Sequence, residues 1–240
     1  MLIYMVALTL EGALFMFGVK EDAEYKLEIE KLYERVARSD NYEICNQANA
    51  MLINGYIKRK EYEKAQCLIN NLPNQPVDKI QRQAQLYFEQ GKLSEASELV
   101  EGRLISIATE IQSILVFMME IALKENKEDL AKALADVSAD TAKLYDLWEY
   151  NKYMAHLQLA ISKKNTDECI EIFQLMLSAM ESSWEMADSL LYTHIKKKKV
   201  EESFNKQLIK GLITGMQSDE SCSFLIKNDR FIKLLEMYDE

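Results

Sequence analysis

Three stretches of this chain repeat one another, and that repetition constrains the fold more than any other feature. They are Tyr56-Ile-Lys-Arg-Lys-Glu-Tyr62-Glu-Lys-Ala65, Tyr87-Phe-Glu-Gln-Gly91-Lys-Leu93-Ser-Glu-Ala96 and Ala122-Leu-Lys-Glu-Asn126-Lys-Glu-Asp-Leu-Ala131. A weaker fourth copy is Ala160-Ile-Ser-Lys-Lys164-Asn-Thr166-Asp-Glu-Cys169. Each reads as the end of one helix, a tight polar turn, and a second helix that turns a small residue inward. The small residues Ala65, Ala96, Ala131 and Cys169 recur at intervals of 31, 35 and 38. Recurrence on this scale is the mark of stacked helix pairs, in which each pair buries its apolar face on the next. The turn has a physical requirement. The residue that closes the first helix must adopt a left-handed conformation, which Gly91 and Asn126 tolerate and Lys60 and Lys164 enter at some strain.

Composition supports an all-α chain. Only 7 Gly and 2 Pro punctuate 240 residues, leaving little turn chemistry for strands. Leu, Glu, Lys, Ala, Met and Gln dominate, and all are good helix formers. The periodicity predicts apolar and amphipathic helices over 1–18 and 21–38, with Asp40 and Glu43 as a capping box before the next. Helix pairs follow at 42–59/61–72, 77–90/93–101, 104–125/127–143 and 146–163/166–181. Pro73 to Pro76 breaks the chain, Gly102 marks a helix end or kink, and Asn165 with Glu168 caps the last pair internally. Three more helices are expected, over 183–195, 199–216 and 221–238. We read residues 1–240 as a single helical-repeat domain, with N-terminal helices over 1–41, four degenerate pairs over 42–181 and capping helices over 182–240.

Residues 1–19 contain one charge, Glu11, and are long enough to span a bilayer. A mid-span carboxylate is costly there, and no basic segment or cleavage site accompanies it. The expected role is a helix that buries Leu2, Val6, Leu10, Leu14 and Phe17 in protein, in its own fold or against a second copy as a homodimer seam. A net charge of −10 repels phosphate backbones, so no direct nucleic-acid binding is expected; the run Lys196–Lys199 reads as a solvated turn. Cys45, Cys67, Cys169 and Cys222 are scattered, which fits free thiols in a reducing cytoplasm, with Cys67 and Cys169 turned inward.

The repeats resemble the tetratricopeptide repeat. Tyr56, Lys60, Tyr62 and Ala65, then Tyr87, Gly91, Leu93 and Ala96, match its inner half, while Ile80, Gln83 and Ala84 stand where its opening Trp-x-x-Leu-Gly belongs. The resemblance implies an α-solenoid of helix hairpins in a right-handed superhelix. A further set of segments is similar to the C-terminal helical region of bacterial Xre-type (Cro/repressor-like) transcription regulators: 86–96, 122–131, Leu-Tyr-Asp-Leu-Trp-Glu-Tyr at 144–150, Leu-Leu-Tyr-Thr-His at 190–194 and Asp-Glu-Ser-Cys-Ser-Phe-Leu at 219–225. That family places a helix-turn-helix domain before a sensory array, and no recognition helix is found in these 240 residues. The resemblance implies the effector-binding part of a regulator with its DNA reader absent.

No catalytic constellation emerges. His156 and His194 lack metal-ligand or nucleophile partners at a meaningful spacing, and both read as structural. Asp136 and Asp140 read as a solvated face. No metal or cofactor is expected. In an array of this kind the first helices of each pair line a concave face. Equivalent positions there hold Asn54, Gln85, Glu120 and Gln158, with Gln47, Gln81 and Asn151 one turn away. Such a ladder of amides suits the backbone of an extended peptide. Tyr145, Trp148, Tyr150 and Tyr153 form an alternative aromatic pocket. The expected function is a non-catalytic peptide- or protein-binding sensory module; the alternative is a stand-alone helical scaffold or oligomerisation protein.

Overall fold

A computed structural model describes residues 2–17, 23–73, 79–182, 184, 189–196 and 202–238. Among them the chain is all-α. The helices are α1 (Leu2–Met16), α2 (Ala23–Val36), α3 (Tyr42–Lys58), α4 (Tyr62–Asn70), α5 (Lys79–Glu89), α6 (Leu93–Lys124), α7 (Glu128–Leu144), α8 (Asn151–Ser162), α9 (Thr166–Glu181), α10 (Glu202–Ser218) and α11 (Asp229–Glu236), with a short 3-10 helix at Glu220–Cys222. The chain divides into two compact units, Met1–Val77 and Asp78–Glu240, where the sequence reads as one continuous array. The division falls beside the proline pair.

The repeated turns follow the expected mechanism residue by residue. Lys60, Gly91, Asn126 and Lys164 all have positive φ, at 63°, 75°, 59° and 52°. Each is followed by the same bond closing the helix end: Glu61 N–H to Tyr56 O, Lys92 to Tyr87, Lys127 to Ala122 and Asn165 to Ala160, at 2.8–3.0 Å. This bond, from the residue after the left-handed one back five positions, satisfies carbonyls that would otherwise be orphaned. Ala65, Ala96, Ala131 and Cys169 are all buried, at 2%, 7%, 0% and 0% exposure. A larger side chain at any of them would force the crossing helices apart.

In the first unit each helix packs on its sequence neighbour. Ala7, Ile29, Tyr33, Val36, Ile44, Ala48 and Leu52 make the core. Glu11 accepts a 2.7 Å bond from the Tyr33 hydroxyl, which together with burial holds that phenol well above its ordinary range. The helix-start cap of α3 is Asn41, whose side chain accepts from the Ile44 N–H at 3.1 Å, rather than the expected Asp40. Only part of the apolar stripe of α1 is covered. Leu14 packs on the core, but Leu2, Val6, Leu10 and Phe17 stay exposed, contrary to expectation, because the inward arc holds Ile3, Tyr4 and Ala7 instead. Cys67, expected inward, is exposed as well.

In the second unit the most consequential departure is α6. The sequence suggested a break at Gly102, yet one helix of 32 residues runs from Leu93 to Lys124, roughly 48 Å at 1.5 Å per residue. It serves as the second helix of the pair with α5 and the first helix of the pair with α7. Gly102 is exposed on this helix and a Cβ there would meet open space. A mid-helix glycine costs only about 1 kcal/mol, which its helix-forming neighbours offset. Gly102→Ala is therefore expected to stabilise the chain by about 0.5–1 kcal/mol in urea unfolding monitored by circular dichroism; a loss of stability would mean that the helix needs the glycine.

Helix α8 begins at Asn151, five residues later than expected, because Asp146 (φ 46°) and the Leu147 N–H to Ala142 O bond end α7 as another such turn. The helix expected over 183–195 is not found in its described part. Residues 189–196 form a strap of turns instead. Trp184 Nε1 donates to Asp146 O at 2.9 Å, Ser189 Oγ to Asp146 Oδ2 at 2.6 Å and the Tyr192 hydroxyl to Tyr145 O at 2.5 Å. The strap ends on Glu101 of α6, which accepts the N–H groups of His194 (2.8 Å) and Ile195 (3.1 Å) and pairs with His194 Nδ1 at 2.6 Å. Of the basic run, Lys196 stands 3.4 Å from Glu98, and Lys197 to Lys199 lie outside the described residues. Past α10, the expected helix over 221–238 is divided by a turn, and Asn228 caps its second part, α11. The core of this end gathers Leu157, Cys169, Phe173, Leu177, Ile213, Leu225 and Phe231 from α8 to α11. Burial pushes the Cys169 thiol up to about 12, so it is a packed apolar group and no nucleophile at neutral pH.

Candidate functional site

The second half of α6 and the start of α8 both pack on α7 and leave a groove between them. Its volume is about 440 Å³, within the range of small-molecule and peptide pockets. Val116, Phe117, Tyr150 and Met154 supply apolar walls. Thr109, Ser113, Glu120 and Asn151 supply polar groups, and Ser138 lies at 1% exposure in its floor. The helices fix these positions: Thr109, Gln112, Ser113, Val116 and Glu120 recur three or four apart and so share one face of α6.

Gln112 organises the floor. It is 7% exposed, and its Nε2 donates to the Ser138 carbonyl at 3.0 Å and the Asn151 carbonyl at 3.5 Å. One side chain thus ties α6 to α7 and to the first turn of α8. The Asn151 side chain donates to Trp148 O at 2.9 Å, holding the entry to α8. At the rim, Gln158 Nε2 donates to Glu120 Oε1 at 3.1 Å across the two helices. Burial pushes the Tyr150 phenol up, so this wall stays neutral through the physiological range.

Of the residues expected on a ligand face, the structure brings together Glu120, Asn151 and Gln158, along with Tyr150. Gln81 and Gln85 are exposed on α5, which packs against α6 but contributes nothing to the groove lining. Gln47 and Asn54 are exposed on α3 in the first unit. The four aromatic residues do not form one cage. Trp148 and Tyr150 meet edge to face at 5.0 Å, and with Tyr153 they pack on the C-terminal core. Trp148 Nε1 is spent on the carbonyls of Ala179 (3.2 Å) and Ser182 (3.1 Å). Tyr145 packs instead with Ala108, Ala142 and Leu147. Trp148 also borders a second, more open cleft of about 330 Å³ with Lys143, Asp146, Lys152 and Trp184.

Sequence reasoning missed Gln112, Phe117 and Met154. A glutamine in the middle of an apolar helix was the available signal for the first, since a buried amide needs partners. The two histidines lie outside the groove: His156 Nε2 is 3.3 Å from Asp136, and His194 is held by Glu101. Among the described residues no cluster of three or more His, Cys, Asp or Glu could hold a metal ion. One described helix, α6, is long and apolar enough to cross a membrane, with a mean hydropathy of 1.7 over its most apolar 18 residues. Compared with known proteins, the chain matches no family model, no curated protein and no solved structure.

Proposed function

We propose that this chain is a non-catalytic module that binds a peptide or a protein segment in the groove between α6 and α8. In this reading the hairpins of residues 79–181 are a tetratricopeptide-like α-solenoid with a right-handed superhelical course, and the groove is its concave face. The observation that carries the proposal is the convergence of apolar walls with a rim of amides and one carboxylate, Glu120, at the points where two helices separate. An extended chain requires both: pockets for alternate side chains, and donors and acceptors for its backbone. Glu120 favours a ligand with a basic side chain or a free amine next to an apolar anchor. The acidic balance of −10 argues against nucleic acid as the ligand. The resemblance to Xre-type regulators makes a cytoplasmic effector-sensing role the natural context, with DNA reading done by a separate domain.

The test begins with selection of a random heptapeptide library on the full chain. Enriched peptides are expected to combine an apolar residue with Lys, Arg or a free amino terminus. Their affinity should fall about ten-fold or more in Glu120→Gln, the loss of one charge-assisted hydrogen bond, with an unchanged helical spectrum. Equal affinity for wild type and variant would move the site elsewhere, and failure to enrich any peptide would count against the module. A second reading, a stand-alone scaffold that self-associates through α1, rests on the exposed Leu2, Val6, Leu10 and Phe17.

A further inference from the structure

Helix α6 carries a second pattern, on the side away from the groove. Leu104, Ile107, Ile111, Ile114, Met118 and Ile121 follow one another at intervals of 3, 4, 3, 4 and 3. The alternating steps of 3 and 4 are those of a heptad, whose 3.5-residue period belongs to a coiled-coil seam and not to a straight helix packed in a globular core. At 3.6 residues per turn the six fall within an arc of about 100°, centred nearly opposite Thr109, Ser113, Val116 and Glu120 of the groove. Helix α5 covers the first part of α6 around Ala96, and α7 packs alongside on Ala122. The arc between is left uncovered: Ile107, Ile114, Met118 and Ile121 are 38%, 52%, 46% and 43% exposed.

We infer that this arc is the seam of a homodimer in which α6 pairs antiparallel with α6 of a second copy. The pattern is its own complement. Antiparallel pairing about an axis between Ile111 and Ile114 puts Leu104 of one copy against Ile121 of the other, Ile107 against Met118, and Ile111 against Ile114. Every layer then alternates the two seam positions, as antiparallel coiled coils do, and a two-fold interface is the commonest closed assembly. Charge reaches the arc only at one margin, where Arg103 shares the bearing of Ile121 and Glu110 lies about 20° beyond it. Two such arcs, extended by Val100, would remove on the order of 1,000 Å² from water, the lower bound for a specific interface. A bilayer fits less well. A helix in lipid is apolar all round, while the other faces of α6 carry Glu110, Gln112, Ser113 and Glu120.

Sedimentation velocity on the full chain at micromolar concentration tests this. The wild type is expected at twice the 27.8 kDa chain mass. Ile114→Glu with Met118→Glu, both at exposed positions, should sediment at the single-chain mass with helical content unchanged, whereas Val6→Glu with Leu10→Glu on α1 should remain dimeric. Ile107→Cys with Met118→Cys, which face each other across the seam, should give an oxidation-dependent dimer band beyond that of the wild type. This readout stands even where the glutamates disturb folding. A monomeric wild type, a dimer lost only in the α1 variant, absence of the crosslink, or flotation of wild type with phosphatidylcholine vesicles would each overturn the inference.

Discussion

Replacing Phe173 by alanine is expected to lower the unfolding free energy by about 3–5 kcal/mol. The side chain is fully buried in the core that α8, α9, α10 and α11 build together, with its ring 6.0 Å from that of Phe231. Four helices fix the walls of the site, and Leu177 and Leu225, both fully buried, stand within the same cluster. Such walls cannot collapse onto the vacated volume without breaking their own contacts, so the cavity term adds to the lost burial. The loss would be a large fraction of the 5–15 kcal/mol typical of a folded protein. Urea unfolding should show a lower midpoint with an unchanged slope. A loss under about 1 kcal/mol would mean that the C-terminal helices do not close over Phe173.

Glu101→Ala is expected to cost about 2–4 kcal/mol, unusually much for a carboxylate on an apolar helix. Its side chain is only 12% exposed and accepts two backbone N–H groups and the His194 ring, so its removal breaks three bonds at once and frees the strap from α6. Burial by itself would push the Glu101 carboxyl up, but the bonds from His194 and Ile195 outweigh it and hold the group below its ordinary range. The sign of the pH dependence follows. A carboxyl depressed in the folded state contributes stability that is present above the unfolded value of about 4.3 and is lost as pH falls through the folded value. The difference in stability between wild type and variant should therefore be full at pH 6 to 7 and shrink below about pH 4. A difference that grew on acidification would place the stabilising charge on another group.

The turns were legible because their chemistry is local. A left-handed residue followed by a back-bonded N–H needs only a short stretch of chain, so Gly91, Asn126, Lys60 and Lys164 could be read without knowing what packs on them. The Asn165–Glu168 cap, with Glu168 N–H on Asn165 Oδ1 at 3.4 Å and Asn165 Nδ2 on Glu168 Oε2 at 2.8 Å, is local in the same way. The groove was legible in part. Of the positions read from repeat spacing, Glu120 and Asn151 line the groove and Gln158 bonds Glu120 beside it, whereas Phe117 and Met154 looked like ordinary apolar positions.

The sequence by itself determined that the chain is helical, where five of its helix ends turn left-handed or meet a proline, and that Ala65, Ala96, Ala131 and Cys169 go inside. The tertiary structure alone decided that Gly102, unlike Gly91, does not end a helix. Gly91 adopts φ 75° because α5 must reverse to lay Ala84 against α6, while Gly102 stays helical because α5 on one side and the Glu101–strap bonds on the other hold the helix through it. Glycine permits both conformations at little cost, so the surrounding contacts make the choice. They also left one arc of α6 open to solvent, which no stretch of sequence shorter than the whole packing arrangement could reveal.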